Sequence, residues 1–78
     1  MKEYTKKEVS KHNTAIDCWI IVNNRVFDVT NFLSDHPGGR KVLIRMGGKD
    51  ATKQFNQLHK DYVLDKVGTA FEIGIIKE

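Results

Sequence analysis

Two runs of apolar and β-branched residues near the middle of the chain predict a β-hairpin. The runs cover residues 18–22 and 25–29, and Asn23-Asn24 lies between them. Asparagine tolerates the positive φ angles that a tight two-residue turn requires. Residues 71–76 predict a closing strand. The longest uninterrupted apolar run, residues 18–22, is far shorter than the roughly 20 residues that a membrane-spanning helix needs.

Helix signals lie on both sides of this hairpin. Thr5 and Glu8 form a capping-box pattern, which predicts a short helix that continues to about Lys11. After the hairpin, Thr30 can cap a second short helix, which contains Phe32 and Leu33.

Two further helices are predicted before and after a glycine pair at 47–48. Residues 40–46 form the first, with three apolar residues on one face, namely Val42, Leu43 and Met46. Asp50 can cap the second, in which apolar residues recur at spacings of four and three, namely Ala51, Phe55 and Leu58. A last short helix, capped by Asp61, would turn Leu64 and Val67 inward.

These elements predict one α+β domain over residues 1–78, in which short helices gather over a small mixed sheet. A composition of 40% hydrophobic and 29% charged residues is typical of a globular protein. Behind the sheet we expect a second apolar cluster of Trp19, Ile21, Val26 and Ile73. The single cysteine, Cys18, excludes an internal disulfide and is interpreted as a small buried hydrophobic residue.

The clearest chemical signal is the segment His36-Pro37-Gly38-Gly39, together with His59 further along the chain. Proline disfavours the α region for His36, and the two glycines permit a sharp turn and close approach of the backbone to a bulky flat ligand. His59 ends the helix-like stretch 50–58. Two fixed imidazoles that are separated by apolar segments suit one metal held from opposite sides. His12 lies in a polar loop without a motif, and we do not include it in the site.

Several segments together resemble the cytochrome b5 haem-binding domain. They are residues 28–33, the His36-Pro37-Gly38-Gly39 motif, residues 48–52, Phe55 and Leu58-His59. The resemblance runs from residue 4 to residue 76, and the motif with its downstream histidine is a specific signature. It implies the cytochrome b5-like fold, in which the short helices form a haem cleft over the sheet.

By this resemblance, His36 and His59 are the axial ligands of a b-type haem (iron protoporphyrin IX), one on each face of the ring. The haem would be held non-covalently, because the chain has no Cys-x-x-Cys-His segment. Lys60 could pair with a haem propionate. The candidate porphyrin contacts are Phe32, Pro37, Gly38, Gly39, Val42, Leu43, Phe55, Leu58 and Leu64, with Val67 and Phe71 as further candidates.

The resemblance implies an electron carrier and not an enzyme. Two axial imidazoles leave no open position for oxygen or a substrate. Because the sequence has no flavin or nicotinamide fingerprint, the expected donor is a cytochrome b5 reductase-like flavoprotein. The expected acceptor is an oxidoreductase such as a desaturase or hydroxylase. The alternative is a haem-binding regulatory or transport module without redox turnover. We expect no nucleic-acid partner, because aromatic residues are not interleaved with the basic ones.

Residues 40–60 depart from the family pattern in their charge. Many members carry acidic residues around the exposed haem edge, whereas this segment has six Lys or Arg and one Asp. Its net charge of +5 exceeds the +3 of the whole chain. If the haem edge opens here, the field that steers a partner is reversed in sign, so the expected partner has an acidic docking face.

The expected location is the cytoplasm. Many family members carry a C-terminal hydrophobic anchor, whereas this sequence stops at Lys77-Glu78, and no apolar segment resembling a secretory signal opens it. We therefore expect a soluble monomer without membrane insertion.

Overall fold

The computed structural model of the chain describes residues 2–35, 40–58 and 71–77. Within these ranges the elements are β1 (Glu3–Tyr4), α1 (Lys6–Ser10), β2 (Asn13–Thr14), β3 (Asp17–Val22), β4 (Arg25–Asp28), a 3-10 helix (Thr30–Asp35), α2 (Arg40–Met46), α3 (Thr52–Leu58) and β5 (Glu72–Ile76). They confirm the α+β class. The predicted helix after Asp61 lies outside the described residues. No helix in the described ranges is both long and apolar enough to cross a bilayer.

The strands form one mixed sheet in the order β1-β5-β4-β3-β2. β1 and β5 are parallel, and the other neighbouring strands are antiparallel. The N–H of Ile75 donates to the Lys2 carbonyl, and the N–H of Lys77 donates to the Tyr4 carbonyl. Gly74 lies at this contact, where an added Cβ would approach the Tyr4 ring to 2.6 Å. A glycine is therefore needed where the two ends of the domain meet.

The predicted hairpin is confirmed by β3 and β4. Asn23 and Asn24 adopt φ angles of 53° and 64°, which suit a two-residue turn of this handedness. The hydroxyl of Thr52 accepts the Asn23 N–H at 2.9 Å and ties the turn to the start of α3.

One side of the sheet, which we call the rear side, packs against α1. Its rear cluster consists of Tyr4, Val9, Ile21, Val26 and Ile76, with Trp19 and Ile73 packed against it. This confirms the predicted second apolar cluster. The capping box is also confirmed, because the Thr5 hydroxyl accepts the Glu8 N–H at 3.0 Å and the Glu8 carboxylate accepts the Thr5 N–H at 2.9 Å.

The other side, the front side, packs against the 3-10 helix, α2 and α3. Its front cluster consists of Cys18, Ile20, Val22, Phe27, Val29, Leu33, Leu43 and Ala51. Because side chains of a strand alternate between the two faces, Ile20 and Val22 point to the front side and Ile21 to the rear side.

The connection between α2 and α3 runs beside β3. The predicted break at 47–48 is confirmed, and Gly48 has a φ of 73°, a left-handed conformation that favours glycine. The N–H of Ala51 donates to the Ile21 carbonyl at 2.7 Å, and the Lys49 carbonyl accepts the Ile21 N–H at 3.0 Å. At the start of α3, the Asp50 carboxylate accepts the Thr52 N–H at 3.0 Å, as expected for a capping residue. The sheet therefore fixes where α2 ends and α3 begins.

Candidate haem-binding site

The front-side helices adjoin both predicted ligand segments in the sequence. The 3-10 helix ends at Asp35, one residue before His36, and α3 ends at Leu58, one residue before His59. The 3-10 helix, α2 and α3 contribute Leu33, Leu43 and Phe55 to one apolar layer. The two helices that directly precede the histidines in the sequence thus pack in the same apolar layer.

Four of the candidate porphyrin contacts lie in this layer. Leu43 belongs to the front cluster, and Phe32, Phe55 and Phe71 pack against it while staying partly exposed. The rings of Phe32 and Phe71 are 5.0 Å apart with an interplanar angle of 46°. The structure therefore brings these residues together, and their contact with haem stays a prediction.

Val42 lies outside the buried face of α2. It is 45% exposed, whereas Ile44 and Met46 pack against the front cluster beside Leu43. Successive helical residues are rotated by about 100°, so Val42 and Ile44 lie on opposite sides of Leu43. The buried arc of α2 therefore includes Ile44 and Met46 beside Leu43, and Val42 lies at its edge. Its role as a porphyrin contact stays a prediction.

The remaining predicted site residues lie outside the described residues. They are His36, Pro37, Gly38, Gly39, His59, Lys60, Leu64 and Val67, together with the side chain of Leu58. Their roles as ligands, propionate partner and porphyrin contacts stay predictions.

Hydrogen bonds of Thr30 with Cys18 and Asp28, which the sequence did not reveal, hold the start of the 3-10 helix. We call this group of contacts the Thr30 hub. The Thr30 hydroxyl accepts the Cys18 N–H at 2.9 Å and donates to the Asp28 carboxylate at 2.6 Å. Asp28 also accepts the Thr30 N–H at 3.1 Å. The prediction that Thr30 caps the helix is therefore corrected: its hydroxyl binds β3 and β4, and Asp28 satisfies the first N–H. An Asp-x-Thr sequence at a strand end is the signal that could have indicated this arrangement.

Cys18 lies under the front-side helices. It is fully buried, and its thiol is 3.7 Å from the Leu43 carbonyl of α2. Burial raises the pKa of the Cys18 thiol, with smaller contributions from Asp28 and Asp17. This environment confirms the interpretation of Cys18 as a buried hydrophobic residue.

His12 is engaged away from the front-side layer. Its Nδ1 is 2.8 Å from both carboxylate oxygens of Asp17, and its ring stacks on Trp19 with centroids 3.5 Å apart. Trp19 packs against the rear cluster. These contacts agree with leaving His12 out of the site.

The described residues fit a b-type haem. A porphyrin needs a broad apolar surface, and five partly exposed apolar side chains of the front side offer one, namely Phe32, Ile44, Met46, Phe55 and Phe71. Neutral imidazole is a good ligand for haem iron. Each candidate histidine directly follows, in the sequence, a helix that packs in this layer.

Comparison with known proteins agrees with this site. Residues 5–77 match the family described as "Cytochrome b5-like Heme/Steroid binding domain". The solved structure of "Cytochrome b5 of Ostreococcus tauri virus 2" superimposes with a TM-score of 0.88 and 45% identity, covering 95% of each chain. Cytochrome b5 of Drosophila melanogaster is 51% identical over 78 residues, which are 99% of this chain and 58% of that protein. Cytochrome b5 of Nicotiana tabacum is 53% identical over 57 residues, 73% of this chain and 42% of that protein.

The chain thus spans only about half the length of these two curated relatives. The family match nevertheless covers nearly all of its residues, and the structural match extends over the whole fold. The chain therefore belongs to the cytochrome b5 family of electron-carrier domains that bind b-type haem.

Proposed function

We propose that this chain is a one-electron carrier in which His36 and His59 ligate the iron of a non-covalently bound haem b. The observation that carries the proposal is the family match over residues 5–77. The packing of the 3-10 helix and α3, which directly precede the two histidines in the sequence, in one apolar layer supports it. The bound haem supplies a metal centre that changes its oxidation state by one electron.

The contribution of the chain is to hold and shield this group. Two axial imidazoles would fill both open positions of the iron and exclude oxygen and small substrates. Leu43 and Phe55 would cover the ring with apolar surface and keep water away from it. The Thr30 hub would fix the 3-10 helix that leads to His36. These roles describe a carrier and leave no position for substrate chemistry.

The proposed partners are a cytochrome b5 reductase-like flavoprotein as donor and an oxidoreductase, such as a desaturase or hydroxylase, as acceptor. The 78 residues contain no glycine-rich fingerprint for a flavin or nicotinamide cofactor, so the electron must come from another protein or domain. Reduction by NADH in the presence of catalytic cytochrome b5 reductase tests the donor. The donor proposal requires that reduction depend on both components.

Redox cycling of the haem-loaded protein tests the carrier function. We expect dithionite to reduce the protein and ferricyanide to restore the starting spectrum through repeated cycles. The reduced protein should not bind carbon monoxide, because both axial positions are filled. A regulatory or transport module would instead bind carbon monoxide or lose haem on reduction. Either of those results would overturn the proposed function.

A further inference from the structure

The helical layer on the front side presents a group of outward-facing cations. Lys41 and Arg45 on α2, Lys49 in the connection, and Lys53 on α3 are all exposed. We call these four residues the basic face. Lys41 and Arg45 are four residues apart on one helix and therefore lie on the same side of it.

Within the part of the chain that the structure describes, no carboxylate neutralises the basic face. Among the described residues, none of its four side chains forms an ion pair with a carboxylate. Asp50 is the one acidic residue in the segment 40–58. Its carboxylate accepts the Thr52 N–H at 3.0 Å and the Thr52 hydroxyl at 2.5 Å, so it is turned to the start of α3.

The rest of the sequence does not share this charge. Residues 1–39 contain five basic and five acidic residues, and residues 61–78 contain two basic and four acidic ones. The positive charge of the chain is therefore concentrated in residues 40–60, which carry +5. A field arranged in this way orients the molecule during diffusional encounter.

The aliphatic character of the exposed apolar residues favours a protein partner over a nucleic acid. Protein surfaces that bind single-stranded nucleic acid combine cations with aromatic side chains on which the bases stack. In the described part of this chain, the exposed large hydrophobic residues are instead the aliphatic Ile16 and Val42.

We propose that the basic face docks an acidic surface of the protein that exchanges electrons with this chain. This inference rests on the proposed function, because α2 and α3 are the helices that adjoin the predicted ligand segments. Docking at this face would bring an acidic partner to the side of the domain that is assigned to the haem.

Three matched charge reversals test the proposal on the haem-loaded protein. Lys41, Lys53 and Lys7 are each exposed and each the second residue of a helix, α2, α3 and α1 respectively. A glutamate at such a position is compatible with the helix dipole, so all three variants should fold. Lys7→Glu is the control, because α1 packs on the rear side and the net-charge change is the same.

Stopped-flow rates are measured with two probes at an ionic strength of about 0.1 M, where charges more than about 10 Å apart are screened. Lys7 lies on α1, which packs on the rear side of the sheet, whereas α2 and α3 pack on the front side. The probes are a reduced acidic [2Fe–2S] ferredoxin and an oxidised basic c-type cytochrome. We expect Lys41→Glu and Lys53→Glu each to slow the ferredoxin reaction about 3- to 10-fold and to accelerate the cytochrome reaction. Lys7→Glu should change either rate by less than about twofold.

Equal effects of the three variants on the ferredoxin rate, or faster ferredoxin reactions of Lys41→Glu and Lys53→Glu, would overturn the docking proposal. Binding to phosphatidylserine vesicles or duplex DNA that depends on Lys41 and Lys53, with unchanged ferredoxin rates, would also overturn it. Complete dithionite reduction of each variant is recorded first. A wild-type protein that fails this step contradicts the proposed function, whereas a protein that passes it and shows no charge effect contradicts only the docking surface.

Discussion

Replacing Thr30 by valine should weaken the domain at the start of the 3-10 helix. Valine keeps the shape of threonine and removes the hydroxyl, which accepts the Cys18 N–H at 2.9 Å and donates to Asp28 at 2.6 Å. Cys18 is fully buried, so its N–H would lose its partner where water cannot replace it. An unsatisfied buried donor costs about 1–3 kcal/mol, and loss of a donor to a carboxylate adds to this. We expect a loss of about 2–4 kcal/mol in the free energy of unfolding.

The chain offers two matched controls with the same chemical change. The Thr52 hydroxyl also bridges a backbone N–H, that of Asn23, and a carboxylate, that of Asp50, but at an exposed site. Water can replace both bonds there, so Thr52→Val should cost about 0.5–1 kcal/mol. The exposed Thr14 hydroxyl makes only a 3.5 Å contact with the Asp17 carbonyl, so Thr14→Val should change stability by less than about 0.5 kcal/mol.

Thermal and urea unfolding of the three haem-loaded variants measure this order. For a domain of this size, about 1 kcal/mol corresponds to 4–8 °C in Tm, so Thr30→Val should lower Tm by about 8–30 °C. If Thr30→Val and Thr14→Val unfold within about 0.5 kcal/mol of each other, the hub does not have the energetic role assigned to it.

Three further predictions follow from individual contacts. Gly74→Ala should destabilise the protein by about 1–3 kcal/mol in urea unfolding, because the new Cβ would clash with β1 and lie 2.6 Å from the Tyr4 ring. Alanine is usually more stable than glycine within a strand, so a variant that is more stable than the wild type would contradict this prediction. Cys18 should react with a thiol reagent only as fast as the protein unfolds, because its side chain is fully buried and burial also raises the pKa of its thiol. Rapid modification of the folded protein would contradict this. Hydrogen bonding to Arg25 lowers the pKa of Glu72 from its ordinary value of 4.5. This ion pair therefore stabilises the fold above pH 4.5, and its contribution is lost as the pH falls through the lowered pKa. Carbon NMR titration of Glu72 should give a midpoint below 4.5, and Arg25→Gln should raise that midpoint.

Local signals in the sequence were sufficient for much of the fold. Adjacent asparagines have low-cost access to positive φ, and they form the turn between β3 and β4. The capping box joins Thr5 and Glu8 within one helical turn, and the glycine pair after Met46 ends α2 at the predicted place. Each of these signals acts between residues close in sequence, so the sequence alone reveals its outcome.

Features that depend on distant contacts could not be predicted in the same way. β1 has two residues and no hydrophobic alternation, and its pairing with β5 is visible only once the sheet has formed. The choice of Ile44 over Val42 for the buried arc of α2 depends on how the helix is rotated against the sheet. The partners of Thr30 come from β3 and β4, and the hydroxyl of a threonine does not indicate which strand it will bind.

The candidate site combines both kinds of information. Leu43 and Phe55 were predicted from helical spacing, and the structure places them in one layer. The assignment of His36 and His59 as ligands came from the family resemblance, because periodicity cannot identify a metal ligand. The family match covers residues 5–77, and the ligand pair has a direct spectroscopic test.

The most direct test is the absorption spectrum of the hemin-loaded protein and of three single variants, His36→Ala, His59→Ala and His12→Ala. The wild type and His12→Ala should both show the low-spin spectrum of a bis-imidazole haem, since His12 is bonded to Asp17 and stacked on Trp19. His36→Ala and His59→Ala should each lose that spectrum and regain it when free imidazole is added. An unchanged low-spin spectrum in either of these two variants, or its loss in His12→Ala, would contradict ligation by His36 and His59.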